Sequence, residues 1–236
     1  MKKTILAVFF SIFALTSANA EIGVNIGVSA QIGSMETKGE ERNSDGASFT
    51  QTSDNEEALI GTAGFFIEKD LAFLPGGLGE AGSRVAIGYD NIAHDLDLGT
   101  QSNHRARGLG AGGAITAAGN HTLNAEVTSF QTIYATVNIF DWLYVKAGDV
   151  TIDVDTNFTK NGTKSTDYGT SHELGGTVIG FGVSRETDTG FFMRLEYNSY
   201  DIDGKTVTSA GADSTLTAEL KDVTGETARV SIGKSF

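Results

Sequence analysis

From Ile22 the segment IGVNIGVSAQI places an apolar side chain at every second position. Ile22, Val24, Ile26, Val28, Ala30 and Ile32 alternate with Gly23, Asn25, Gly27, Ser29 and Gln31. A period of two is that of an extended strand with one apolar and one polar face. The run is longer than the ~5–6 residues usual for a strand in a soluble protein. It matches the ~9–11 residues with which a tilted strand crosses a bilayer.

The same texture returns seven more times. Leu59–Glu68 sets Ala63, Phe65 and Ile67 on one face, and Arg84–Ala93 does so with Val85, Ile87 and Tyr89. Gln131–Phe140 sets Ile133, Ala135, Val137 and Ile139 against Thr132, Thr136 and Asn138. Leu143–Gly148 sets Leu143, Val145 and Ala147 against Lys146. Thr177–Ser184 carries Ile179, Phe181 and Val183, and Phe191–Tyr200 carries Phe191, Met193, Leu195 and Tyr197. Thr227–Phe236 closes the series with Ala228, Val230, Ile232 and Phe236. Eight strands follow, with ten as the rival count if Ile115–Val127 or Thr215–Leu220 are strands of their own and not extensions.

Composition agrees with strands over helices. The chain has 30 Gly in 236 residues and a single Pro, Pro75, which lies between strands and not within one. The connections alternate between short and long. Asp141-Trp142 and Asp188-Thr189-Gly190 are short, and Asp70–Gly82 is a longer turn in a short-turn position. Ser34–Glu57, His94–Asn124, Thr151–Glu173 and Asp203–Glu226 are long and polar. Short turns at one rim and long loops at the other describe an up-and-down transmembrane barrel. Phe65, Phe66, Phe73, Phe140, Trp142, Tyr144, Phe191, Phe192 and Phe236 crowd the short-turn rim and are expected to form an interfacial girdle there.

The first twenty residues read as an export signal. Lys2 and Lys3 precede the apolar run Thr4–Leu15, and Ala18-Asn19-Ala20 supplies a small-x-small cleavage site. The apolar run is too short for a spanning helix, which needs ~20 residues. The expected organisation is a signal peptide over 1–20 and one barrel domain over 21–236, exported by the Sec route to a bacterial outer membrane. No Cys is present, which excludes disulfides, thiolate chemistry and a lipidated N-terminus. A net charge of −13 argues against nucleic acid as a partner.

The last residues, ARVSIGKSF, resemble the C-terminal signature of bacterial outer-membrane barrels, in Phe236 and in the register of Ala228, Val230 and Ile232. Lys234 departs from it, since that position is more often apolar. Signal, strand rhythm and terminal Phe together make the chain similar to small eight-stranded barrels such as the OmpA membrane domain, OmpX and the opacity proteins. The resemblance implies that the C-terminal strand is read by the barrel-assembly machinery and that lipid and lipopolysaccharide surround the wall. No wall-binding domain of the OmpA kind is expected.

An eight-stranded barrel is just wide enough to be filled by its own side chains. Glu68, Lys146, Arg194, Glu196 and Arg229 fall on polar faces, so we expect them in the lumen, paired as an ion network that blocks conduction. The loops are acidic, with Glu36, Glu40, Glu41, Asp45, Asp54, Glu56 and Glu57 in the first, and solvation explains them best. Asp153-Val154-Asp155-Thr156-Asn157 begins like a calcium loop, but Phe158 stands at its sixth position and Lys164 at its twelfth. Gly77–Gly82 and Gly108–Gly113 match a dinucleotide fingerprint without a helix to follow, and read as flexible connections. His94, His104, His121 and His172 show no triad spacing. No cofactor, metal or catalytic residue is therefore expected. The role expected is non-enzymatic (surface interaction, adhesion or envelope structure) in a monomer whose loops meet a surface ligand. A small ion or solute pore is the second reading, and a surface lipid hydrolase or protease the third.

Overall fold

The computed structural model describes residues 23–43, 50–52, 56–75, 77–92, 94–105, 108–109, 115–116, 119–160, 163–165, 169–208 and 216–236. The proposed signal peptide and the loop residues Asp45 and Asp54 lie outside them. Eight strands form the wall: β1 (Val24–Thr37), β4 (Glu56–Asp70), β5 (Val85–Ile92), β9 (Gly119–Phe140), β10 (Leu143–Lys160), β12 (Ser171–Glu186), β13 (Phe191–Ile202) and β16 (Val223–Ser235). Each pairs antiparallel with the next, and β16 returns to β1, so the ladder closes. The ends are tied at the seam. The Phe236 amide donates to the Val24 carbonyl at 2.9 Å, and the Val24 amide donates back at 3.3 Å. Closure satisfies the backbone groups that lipid cannot.

The other described strands lie beyond the membrane-spanning wall. β2 (Gly39–Asn43), β3 (Thr50–Thr52), β14 (Lys205–Thr208) and β15 (Leu216–Leu220) make a separate four-stranded sheet. β6 (Leu96–Arg105) runs along the upper part of β9, β11 (Thr163–Ser165) pairs with the end of β10, and β7 (Gly108–Leu109) pairs with β8 (Ile115–Thr116). Most of Ile115–Val127 is thus an extension of β9, and Leu216–Leu220 belongs to the outer sheet. The barrel count is eight and not ten.

Odd and even positions separate as the alternation requires. Ile26, Val28 and Ile32 on β1, Val137 and Ile139 on β9, Ile179, Phe181 and Val183 on β12, and Met193 and Leu195 on β13 all face outward and are exposed. On β13 the belt runs from Phe191 to Tyr197 before Ser199 ends it. At ~3.3 Å per residue and ~40° tilt that is about 15 Å of height, which lies within the ~25 Å apolar band of a membrane barrel.

The long polar segments differ from their expected form. Much of 34–57, 94–124, 151–173 and 203–226 is strand and not loop, and β9 reaches 22 residues and β10 18. The reason is a change of phase. Up to Ala147 the apolar residues of β10 face out and Lys146 faces in. From Asp149 onward the acids Asp149 and Asp153 face out, and Val150 and Ile152 are buried inside. The period of two is unbroken while the apolar face swaps sides where lipid gives way to water. Asp153 and Asp155 accordingly sit in a strand paired on both edges, not in a calcium loop.

Two further expectations are corrected. Gly77–Gly82 forms a six-residue helix, α1, closed by the Ser83 amide on the Gly79 carbonyl at 2.9 Å, so the first glycine-rich stretch is helical and not a flexible connection. In the aromatic girdle, Phe65, Phe73, Phe140, Trp142, Phe191 and Phe236 are exposed, but Phe66, Tyr144 and Phe192 are buried in the lumen. Neighbours along a strand face opposite ways, so Phe65-Phe66 and Phe191-Phe192 cannot share a face. Trp142 stacks on Phe140 at 5.9 Å in the β9–β10 turn. The exposed Leu195 tests the belt directly. Leu195→Lys should cost about 2–4 kcal/mol in bilayer-referenced urea unfolding, and Asp201→Lys on the same face of β13, above the belt, close to nothing.

Candidate functional site

The lumen holds the densest chemistry among the described residues. Adjacent inward positions on six strands converge there: Glu68 from β4, Asp90 from β5, Tyr134 from β9, Tyr144 and Lys146 from β10, Arg194 and Glu196 from β13, and Arg229 from β16. Arg194 grips Glu68 with both terminal nitrogens, at 2.6 and 2.8 Å. The Tyr134 hydroxyl donates to Glu68 at 2.9 Å and Asn25 Nδ2 donates at 3.2 Å. Lys146 Nζ donates to Glu196 at 3.0 Å and Tyr144 OH donates to the other oxygen at 2.8 Å. Arg229 pairs with Asp90, and its Nε donates to Ser231 Oγ at 3.3 Å.

The five lumenal residues read from the sequence thus meet inside the barrel, but Arg229 meets a partner that reading lacked. Asp90 was legible, since placing Val85, Ile87 and Tyr89 outward sends Gly88 and Asp90 inward. Tyr134 and Tyr144 were legible by the same parity, between outward Ile133 and Ala135 and between outward Leu143 and Val145, although Tyr144 was assigned to the girdle.

Aromatic faces fill the space between these charges. The Arg194 guanidinium lies 4.6 Å from the Phe192 ring centroid and 5.4 Å from that of Tyr144, and Lys146 lies 4.3 Å from that of Tyr134. The rings lie over glycines of the wall. A Cβ on Gly88 would collide with Tyr134, one on Gly182 with Tyr144, and one on Gly27 with Phe66. Cations are therefore held by carboxylates at one end and by ring faces around them, which lowers the cost of taking them out of water.

A second, apolar layer sits above. Val127, Phe130, Val150, Ile152, Leu174, Val178, Tyr200 and Ile202 form one buried cluster, with Phe130 and Tyr200 edge-to-face at 5.7 Å. Between the layers a cavity of about 10 Å³ is lined by Gln31, Thr62, Asp90, Thr132, Tyr200 and Arg229 among others, room for a single water. The axis of the barrel is closed twice, by ion pairs and by hydrocarbon.

The remaining candidates disperse. His104 and His121 lie on β6 and β9, His172 is the second residue of β12, and His94 stands in the turn between β5 and β6. No group of three or more His, Asp or Glu able to hold a metal occurs among the described residues. Lys234, the odd residue of the C-terminal signature, donates to the Thr189 carbonyl at 2.9 Å and lies beside the Phe191 and Phe236 rings. Its charge reaches the rim while its stem covers apolar surface.

Breaking one partner should hurt more than removing both. Arg194→Ala leaves Glu68 buried without its cation and should cost about 3–5 kcal/mol in urea unfolding. Adding Glu68→Gln to that variant should restore part of the loss.

No protein-family model matches the chain, and no curated relative does. Solved structures that resemble it include Neisserial surface protein A, at 12% identity and TM-score 0.40 over 91% of this chain and 97% of that one. The outer membrane protease OmpT of Escherichia coli aligns at 7% identity and TM-score 0.43, over 94% and 99%. The attachment invasion locus protein Ail of Yersinia pestis aligns at 9% and TM-score 0.31, over 87% and 98%. Likenesses this distant carry no argument about role. The closed ladder, the exposed apolar belt and the packed lumen make this chain a small, closed, eight-stranded antiparallel transmembrane β-barrel.

Proposed function

We propose that the protein is a non-enzymatic, monomeric outer-membrane barrel whose work is done outside the membrane, in surface interaction, adhesion or envelope structure. The observation that carries this reading is the double closure of the lumen. Glu68–Arg194, Lys146–Glu196 and Asp90–Arg229 fill the lower half, and the Val150–Leu174–Ile202 cluster fills the upper half. A filled barrel has no path for solute along its axis. The wall strands meanwhile run well past the belt and carry acidic outward faces, such as Asp149, Asp153 and Asp155 on β10. A rigid, negatively charged platform favours basic partners and keeps like-charged surfaces away. Lipid and lipopolysaccharide are the surroundings of the belt, and an external ligand would meet the extended strands.

Conductance separates this role from a small pore. The refolded protein, with folding verified by heat-dependent gel mobility, should be silent in a planar bilayer; reproducible single-channel steps would replace the present reading with the pore. Turnover of lipid or peptide by the same preparation would replace it with a surface hydrolase.

Ala228, Val230 and Ile232 on the seam strand β16, with Phe236 just past its end, face outward, which is where an assembly factor would read the strand. Phe236→Ala should lower the amount of folded barrel in cells several-fold while leaving unassisted refolding in detergent nearly unchanged, as measured by gel shift in both settings.

A further inference from the structure

Above the belt, one strand of the wall has an open edge. β5 is the shortest strand, eight residues against 12 to 22 in the other seven. Its last rung with β4 is Ile92 with Gly64. Beyond that rung β6 follows β9, and no described residue continues the ladder on that edge of β4. The other edge of β4 stays paired with β1 up to Glu56 with Thr37.

The direction of the free main-chain groups follows from one contact. The amide and carbonyl of a residue point to the same edge of an antiparallel strand, and successive residues alternate. The Ala63 amide points to the open side, since it donates to His94 Nε2 at 3.0 Å. Gly61, Leu59 and Glu57 therefore point there too. His94 caps the lowest of these four amides, and the three above it form a row that can template a further strand.

That row stands above the lipid. Leu59 pairs with Ser34 and Ser34 with Glu226, while Glu57 pairs with Glu36. Glu36, Glu57 and Glu226 face outward and are exposed, and Ile32, the last apolar outward residue of β1, precedes Ser34. Followed once round the barrel from β1 through β4, the rungs climb from Asn25 to Met35. Leu59 is therefore higher than Ser34 and Glu226, yet it is 80% exposed. Soluble sheets guard such edges with lysine, proline or a cover. Residues 56–63 contain neither lysine nor proline, and a Cβ built on Gly61 meets nothing within 4 Å.

We propose that residues 57–61 of β4 are a strand-addition site for an extended, basic segment of a partner protein. The segment adds antiparallel to β4, the more stable of the two pairings. Its outward side chains are basic, because Glu57 and Glu36 lie side by side on the outer face with Glu226 on the next strand. The stem of a lysine or arginine covers Leu59 while its charge reaches these carboxylates. Its inward side chains are apolar, because the buried Ile60 lies on that face. The net charge of −13 favours the same partner at long range. The proposal rests on the surface role given above and names the site and the chemistry of what binds there.

The probe is a synthetic peptide of alternating lysine and valine, blocked at both ends, added to the full folded barrel in detergent micelles. By NMR-detected exchange, the Leu59 and Gly61 amides should gain about tenfold protection or more, and Ala63, already held by His94, should change little. Antiparallel addition turns the lysine amides toward β4 and the valine amides away. N-methylation of the lysine amides should therefore weaken binding about tenfold or more, and N-methylation of the valine amides, at equal charge, far less. Gly61→Pro removes an edge N–H and no rung to β1. It should fold, by gel shift, and bind about tenfold more weakly. Equal affinity of the two methylated peptides, or undiminished binding to Gly61→Pro, means charge attraction alone and overturns strand addition. Absence of binding overturns it too, and leaves the surface role standing while the bilayer stays silent. Channel steps with edge binding intact would remove that role and keep the site. Leu59 and Gly61 protection that rises with protein concentration in the absence of peptide would make a second copy the occupant and overturn the basic partner.

Discussion

Lipid offers a peptide group no hydrogen bond, and the rest of this structure follows from that. A strand in such a solvent must be paired on both edges, and a sheet escapes having edges only by closing on itself. Here the closing rungs run from Asn25–Ser235 to Glu36–Thr224, so the first and last barrel strands of the chain complete the ladder. With eight strands the radius is then fixed, and the interior is too narrow for anything but side chains. Charges placed inside have no choice but to find one another, and the Arg194–Glu68 fork with its tyrosine and asparagine donors is what satisfying them looks like.

The barrel uses one backbone pattern in two solvents. Within the belt the apolar face is outside and the polar face inside; beyond it the assignment reverses. On β13 Leu195 and Tyr197 look to lipid over Glu196 and Asn198, and farther along Ser199 and Asp201 look to water over Tyr200 and Ile202. The upper barrel is built like a water-soluble protein, with a hydrocarbon core, and this lets the strands extend past the membrane without a change of topology. It also gives the outer half of the molecule a packed hydrocarbon base.

The one departure from a complete wall is where β5 stops. Eight residues suffice to cross the belt but not to continue along β4, and the neighbouring β6 follows β9 instead. At the top of the belt an unpaired amide would be costly, and a histidine ring takes the place of a carbonyl there.

How much of this could be read before folding follows from what each inference needs. Alternation is a local property, so the strands and their lipid-facing residues, from Ile26 and Val28 to Val230 and Ile232, were legible, as were the lumenal positions of Glu68, Lys146, Arg194, Glu196 and Arg229. Placing both Phe65 and Phe66 in the girdle ignored that same rule. The outer extensions escaped because segments such as Thr151–Asn157 keep the period while reversing its phase, and polar residues at alternate positions then look like loop. The pairing of Arg229 with Asp90, Tyr134 reaching Glu68, and His94 reaching Ala63 join residues 139, 66 and 31 positions apart. The sequence alone determined which side of the wall each belt residue faces, because that depends only on its parity along a strand. Which residues meet across the lumen, and where the wall is left open, depended on register and strand length around a closed circle, and those are properties of the whole barrel.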